Sequence, residues 1–454
     1  MRKNRLLIIL LLILSFQSAF SKSKVQPLVE KTDYVQIILY GQSLGLGWES
    51  PRLLSTTPID GNFMIGDNVI MKYNNDTKVL TPMAATKWRN GGEQPIVACV
   101  NAFSKMYREK VNPNQQFIGM SGGEGGQSVE RLSKECTNNG LYESTFLKIL
   151  DNTKLAISGK SVSCPAILYM QGEHNCNNKG YYGGKGMTPE SDATPNKDEY
   201  KALLLKLKNN MQADIMKKYG QKQKPLFFIY QTSGRYISMK EMAISMAQLE
   251  FSKENEDVIL LNPHYALPDY SGGHLSTNGY RWYGEMMAKT LDDVLIQRHS
   301  FRPVTPEKIS IKDKAIMIDY YVPASPLVLD TLINTKAKNF GFAVFKNGDT
   351  VAIKNVSVAE SNRVVITCDG RLSGKIEIVY GGQATRGTGN LRDSDTGKSM
   401  YTYFDDSADK RRESYTPINA TGTKIYNQPY PLQNWSNAFY YQFDVPEAGI
   451  IKPI

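Results

Sequence analysis

Ser43 stands in ILYGQSLGLG (residues 38–47), where an apolar run breaks into Gly-Gln-Ser and then into further glycines. A serine at the end of a buried strand presents its hydroxyl at the rim of a sheet, where it becomes a nucleophile once a base takes its proton. Glycine and serine also build ordinary turns, so this tripeptide alone does not separate a nucleophile from a loop. Histidine is the usual base, and the chain has four: His174, His264, His274 and His299. His299 lies in a basic stretch between two differently patterned regions and reads as a surface residue. His264 follows an apolar run, and His274 sits in SGGHLSTNGYRWYGE, where a glycine-rich loop enters a helix; either one can serve. Two further polar clusters follow apolar runs, Gly-Gly-Gln-Ser at 125–128 and Gln171-Gly172-Glu173. Gly126 is either a helix-entry turn or a close approach of backbone to a ligand. Gln171 ends a buried run, so its amide needs partners there. Glu173 either positions its neighbours or is a solvated carboxylate.

These residues hang on a regular scaffold. Between residues 34 and 298 short apolar runs alternate with amphipathic stretches. The runs are YVQIILYG (34–41), QFIGMSGG (116–123), PAILYMQG (165–172), PLFFIYQT (225–232) and DVILLNPH (257–264). Runs of this length without alternation are strands buried on both faces. In DEYKALLLKLKNNMQADIMKKYG, Leu203, Leu204, Leu207, Met211 and Ile215 recur at helical spacing and Gly220 is the stop. Strand–helix alternation predicts a doubly wound parallel sheet, a flavodoxin-like αβα domain, whose ligand site lies at the carboxyl ends of the strands. Every run ends in a Gly, Ser, Gln or His cluster, so the polar chemistry is expected on that rim.

Past Arg302-Pro303 the pattern changes to short alternating strands separated by Asn-Gly, Asp-Gly and Gly-Gly turns, which predicts an all-β sandwich domain over 303–382. Residues 383–454 are polar, rich in Asn, Thr, Asp and Tyr, and read as a loop-rich C-terminal extension. Trp435 and the Phe439-Tyr440-Tyr441 cluster imply that it docks on the other domains.

Composition bounds the function classes. The 454 residues leave room for two or three domains. Residues 1–21 carry Arg2, Lys3 and Arg5, an apolar run and then small residues up to Ser21, the order of a cleavable export signal. The expected location is therefore periplasmic or extracellular. No later segment is apolar enough to span a bilayer, and no cysteine near the cleavage point indicates a lipid anchor. Net charge is +10, but the lysines are scattered among acids with no basic run interleaved with aromatics, which argues against a nucleic-acid partner. Five cysteines show no zinc spacing; Cys136 and Cys176, in polar loops, are expected to form a disulfide. With no metal-ligand cluster and no phosphate-cradling motif, neither metal nor cofactor is expected.

Taken in order, Gly41-Gln42-Ser43, Gly-Gly-Gln-Ser (125–128), Gln171-Gly172-Glu173 and His274-Leu275-Ser276 with Gly279-Tyr280-Arg281 resemble the blocks of the SGNH (GDSL-type) hydrolase superfamily. The likeness covers about residues 34–297 and leans toward the sialate O-acetylesterase-like, carbohydrate acetylesterase branch, whose first block reads GQS and third QGE. The resemblance implies Ser43 as nucleophile and His274 as general base. It implies an oxyanion hole made of the Ser43 N–H, the Gly126 N–H and the Gln171 side-chain amide, with Gln42 and Glu173 beside the site. It departs at one place: the family sets Asp three residues before the histidine, and here that slot is Ser271. Either Asp269 reaches the ring, or a backbone carbonyl completes a Ser–His dyad, or the site is weakened. The implied activity is a serine esterase that removes O-acetyl groups from an acetylated glycan, sialate or plant-type. The competing readings are a carbohydrate-binding protein that kept the fold, and a lipase or thioesterase. Trp48, just beyond the nucleophile, is a candidate for stacking on a sugar ring.

Overall fold

The computed structural model describes residues 28–136, 140–176, 193–270, 273–409, 413–447 and 450–451. The expected export segment, 1–21, and Ser271 lie outside them. Seven strands build the main sheet: β1 (Tyr34–Gly41), β2 (Asn62–Ile65), β3 (Leu80–Pro82), β4 (Gln116–Gly123), β5 (Val162–Met170), β6 (Leu226–Ile229) and β7 (Val258–Leu260). Their order is β3-β2-β4-β1-β5-β6-β7. All pairs are parallel except β2 with β3, so the sheet ends in an antiparallel edge strand where the sequence pattern predicts only parallel ones. β2 and β3 are too short to stand out as apolar runs.

Register is what positions the site. Gly41 at the end of β1 pairs with Gly123 of β4 on one side and Met170 of β5 on the other. The three strands therefore stop level, and the segments after them emerge side by side. A Cβ at residue 41 would lie 2.0 Å from the Met170 carbonyl oxygen, so glycine is required at this close approach.

The helices are α1 (Pro95–Lys110), α2 (Val129–Leu132), α3 (Lys148–Ala156), α4 (Glu173–Cys176), α5 (Lys197–Tyr219), α6 (Ala243–Glu254) and α7 (Thr277–Leu291). α5 starts where the Asn196 side chain accepts from the N–H groups of Asp198 and Glu199, and stops at Gly220 in the left-handed conformation, φ 69°. α7 is buried nearly all round, which a helix packed on one side only cannot be. It lies on α1 and is covered from outside by the paired strands Lys398–Thr402 and Pro429–Pro431. There Trp282 stacks on Tyr430, ring centroids 5.4 Å apart, and donates its indole N–H to the Pro431 carbonyl at 2.7 Å. No helix among the described residues is long and apolar enough to cross a membrane.

Two further antiparallel sheets follow. One has five strands, in the order Ile353–Ala359, Arg363–Cys368, Ala315–Tyr321, Thr305–Lys312 and Ile450–Ile451. The other has four: Asp349–Val351, Phe342–Lys346, Gly374–Tyr380 and Phe439–Val445. The C-terminal segment is thus more than the loop extension expected of it. Phe439, Tyr441, Phe443 and Val445 alternate with polar or amphipathic neighbours, a period that suits a strand, and all seven residues of Phe439–Val445 pair with Gly374–Tyr380. Trp435, 1% exposed, sits edge-on to Tyr265 and anchors the segment on the α/β part.

The disulfide expected between Cys136 and Cys176 is not formed: all five cysteines are free thiols. Cys176 ends α4 inside the apolar core, where packing holds it and burial pushes its thiol far up.

Candidate active site

The chain breaks at Gly41 and turns through Gln42 into a single 3-10 turn, Ser43–Leu46, closed by Gly47 in the left-handed conformation, φ 75°. Ser43, 6% exposed, is held at the rim with its hydroxyl toward the loop that precedes α7. From that loop comes His274, whose Nε2 lies 2.8 Å from Ser43 Oγ. Of the two histidines left open by sequence, His274 is the one at the serine. The loop is fixed by the helix it enters: Ser276 caps α7 by accepting from the Gly279 N–H, and Tyr280 donates to the Trp48 carbonyl at 2.9 Å. The second contact ties the histidine helix to the nucleophile turn.

The other face of the imidazole meets a carboxylate, and it is Glu49. Its Oε2 is 3.5 Å from His274 Nδ1. With a proton on Nδ1, toward that carboxylate, Nε2 is the acceptor for the serine hydroxyl. Glu49 has φ 65°, a left-handed backbone rare for a residue with a side chain, and this strain sits in the site. Asp269, the expected third member, is otherwise engaged. Its carboxylate accepts from the Gly273 N–H at 3.2 Å and from the Ser414 hydroxyl at 2.5 Å. It braces the histidine loop from an antiparallel bridge with Leu275.

The loop after β4 arches over the serine. The Glu124 N–H donates to Gly41 at 3.1 Å, and a Cβ on Gly125 would stand 3.6 Å from Ser43 Cβ. Gly126 is exposed with φ 67° and open space beside it. Among the described residues neither the Gly126 nor the Ser43 N–H has a hydrogen-bond acceptor. N–H groups left without an acceptor are the kind of donor an oxyanion hole needs.

Gln171 departs from the role expected of it. Its side chain is fully buried, and both amide hydrogens are engaged, with Asn175 Oδ1 at 2.7 Å and the Gln127 carbonyl at 3.2 Å. Its carbonyl accepts from the Tyr200 and Tyr169 hydroxyls at 3.0 and 3.3 Å. Gln171 therefore ties down the loop after β4 through Gln127, and both amide hydrogens expected to face a ligand are already paired. Gln42 accepts from the His174 N–H at 3.4 Å and links the first block to the third. Glu173 is buried and accepts from the Tyr230 hydroxyl; burial pushes its carboxyl up to about 7.

A scan against protein-family models finds no match, and a search of curated proteins by sequence finds none either. Solved structures do match. XAC1771, a carbohydrate acetylesterase from Xanthomonas citri, superposes with a TM-score of 0.52 at 11% identity, over 89% of this chain and 80% of its own. The chain shares the fold of that protein over most of its length. NanS is also similar, with a TM-score of 0.39 at 11% identity over 59% of this chain and 98% of its own. The XAC1771 match takes in a larger share of the chain than the α/β part alone, so the likeness in fold includes antiparallel sheet.

On this scaffold the sequence pattern missed two residues. Glu49 lies six positions after the serine in the same glycine-broken turn; an acid within reach of the first block was the available signal. Tyr236, whose hydroxyl is 3.5 Å from His274 Nε2, sits in a stretch with no periodic signal at all.

Proposed function

We propose that the protein is a serine esterase that removes O-acetyl groups from a carbohydrate. The observation that carries the reading is the 2.8 Å separation of Ser43 Oγ and His274 Nε2, with Glu49 behind the ring. Ser43 Oγ attacks the acetyl carbonyl carbon while His274 Nε2 takes the hydroxyl proton. The negative charge that develops on the carbonyl oxygen is met by the N–H groups of Ser43 and Gly126. Collapse breaks the bond to the sugar oxygen, which leaves with the proton returned by His274. Water then attacks the acetyl-enzyme with His274 again as base, releasing acetate and restoring Ser43. Glu49 keeps the ring oriented and offsets its positive charge in both steps.

Carbohydrate as the substrate class is supported by the shared fold with XAC1771 and by the GQS and QGE blocks. The aromatic group beside the nucleophile suits it: Trp48 lies 5.3 Å from Trp88, which stacks on Tyr73 at 4.7 Å. The N-terminal residues support export, which sequencing the N-terminus of secreted protein tests: cleavage near Ser21 is expected. The activity is tested by acetate release from acetylated sialosides, xylans and pectins, with Ser43→Ala as control. Wild-type release equal to that control removes the esterase reading; turnover of long-chain but not acetyl esters replaces it with a lipase.

A further inference from the structure

A cavity of about 260 Å³ lies beside the histidine loop, where the α/β part meets the antiparallel sheets and the C-terminal segment. It is lined by Gly273 and Leu275, the two neighbours of His274, and by Arg235, Arg386, Asp269 and His264. Backbone contacts join its walls. The Ser414 N–H donates to the Asp269 carbonyl at 2.7 Å. The Gly234 N–H donates to the Gly387 carbonyl at 3.0 Å, and a Cβ on Gly387 would lie 1.8 Å from the Gly234 carbonyl oxygen, so no other residue fits. This contact sets Arg235 and Arg386, the adjoining residues, on one cavity.

The charges there are not balanced. Arg386 is exposed and held at φ 55°; its N–H donates to the Gln383 carbonyl, and its side chain has no hydrogen bond or ion pair among the described residues. Arg235 reaches only to 3.9 Å from Asp269, whose carboxylate already accepts from Gly273 and Ser414. His264, 3% exposed, has Nδ1 at 3.3 Å from the Ser233 hydroxyl, and its Nε2 lies at the Gly234 wall. Burial lowers its pKa to about 4, so at neutral pH the ring is an uncharged hydrogen-bonding group. Two arginines line this small cavity against the single carboxylate of Asp269, beside a buried imidazole, and guanidinium groups match the planar acceptor pair of a carboxylate.

We propose that this cavity is a subsite for the carboxylate of an acidic glycan, gripped by Arg235 and Arg386 while an acetyl ester of the same glycan lies at Ser43. The proposal rests on the esterase reading for its substrate and gives that reading a specificity. It also assigns the antiparallel sheets a part in recognition, since Arg386 comes from their side of the junction.

The test compares wild type with Arg386→Ala on acetylated glucuronic acid, acetylated glucose and p-nitrophenyl acetate. The expected result is a roughly 10- to 100-fold loss in kcat/KM on the acidic ester, mostly in KM, with the other two substrates unchanged and partial recovery in Arg386→Lys. An equal loss on all three substrates, or none on the acidic one, overturns it. Free glucuronate altering p-nitrophenyl acetate turnover, with no preference for the acidic ester, also overturns it, because the cavity would then be an effector site. The two readings fail separately. Glucuronate titrated calorimetrically into Ser43→Ala should bind more tightly than glucose and lose that advantage in Ser43→Ala/Arg386→Ala, whether or not any ester is cleaved; no difference between the sugars overturns the subsite.

Discussion

Replacing Glu49 with glutamine tests the arrangement at its least expected point. The change keeps the shape and a hydrogen-bonding oxygen but removes the charge 3.5 Å from His274 Nδ1. In the transition state the ring is cationic, and the Coulomb energy at that distance runs from about 1 kcal/mol in bulk water to about 5 kcal/mol at an effective dielectric near 20. Glu49 is 33% exposed on its side chain, so solvent screens part of this and about 2–3 kcal/mol is the working value. At about 1.4 kcal/mol per factor of ten, kcat/KM for p-nitrophenyl acetate should fall by roughly 100-fold, with KM little changed. Asp269→Asn, which disturbs the brace on Gly273 and Ser414 and the contact with Arg235, should cost less than about 10-fold. Both variants need unchanged melting temperature and circular dichroism for the comparison to count. Glu49→Gln within a few-fold of wild type, beside a 100-fold loss in Asp269→Asn, would refute the assignment of the acid.

Gln171→Leu should leave the Gln127 carbonyl, Asn175 and two tyrosine hydroxyls short of partners, at about 2–3 kcal/mol of stability, and also lower kcat by loosening the loop after β4; chemical denaturation and steady-state kinetics read the two effects separately. Stability should fall as pH rises from about 4.5 to 7 and level off above. Glu173 and Glu285 are buried and their carboxyls are raised to about 7 from 4.5, so over that window the folded state keeps protons that the unfolded chain releases. Each contributes up to about 3 kcal/mol, and melting temperature measured across pH should flatten in Glu285→Gln. Loss of Ser43 should abolish ester turnover without lowering the melting temperature, since the hydroxyl contributes no packing; a destabilised Ser43→Ala would mean that the residue is structural.

Much of the fold is legible because a strand buried on both faces must be apolar throughout. YVQIILYG and QFIGMSGG match β1 and β4 residue for residue, and Gly220 ends α5 where the pattern stops. β2, β3 and Phe439–Val445 were not legible, being short or dependent on a partner strand far away in sequence. The pairing of Phe439–Val445 with Gly374–Tyr380 stabilises only once both are in place.

For the site, composition and spacing alone put a serine, glycine pairs, an amide and a histidine after successive strands, because parallel strands must all end on one rim. Only the tertiary structure decided which of these groups meet. Register levels Gly41, Gly123 and Met170, and a left-handed turn at Glu49 carries that side chain to the imidazole while Asp269 is drawn into its own loop. Gln171 points inward, its amide paired with Asn175 and Gln127. The number of partners within reach of a polar side chain is a property of the packed chain, and nearest neighbours in sequence do not carry it.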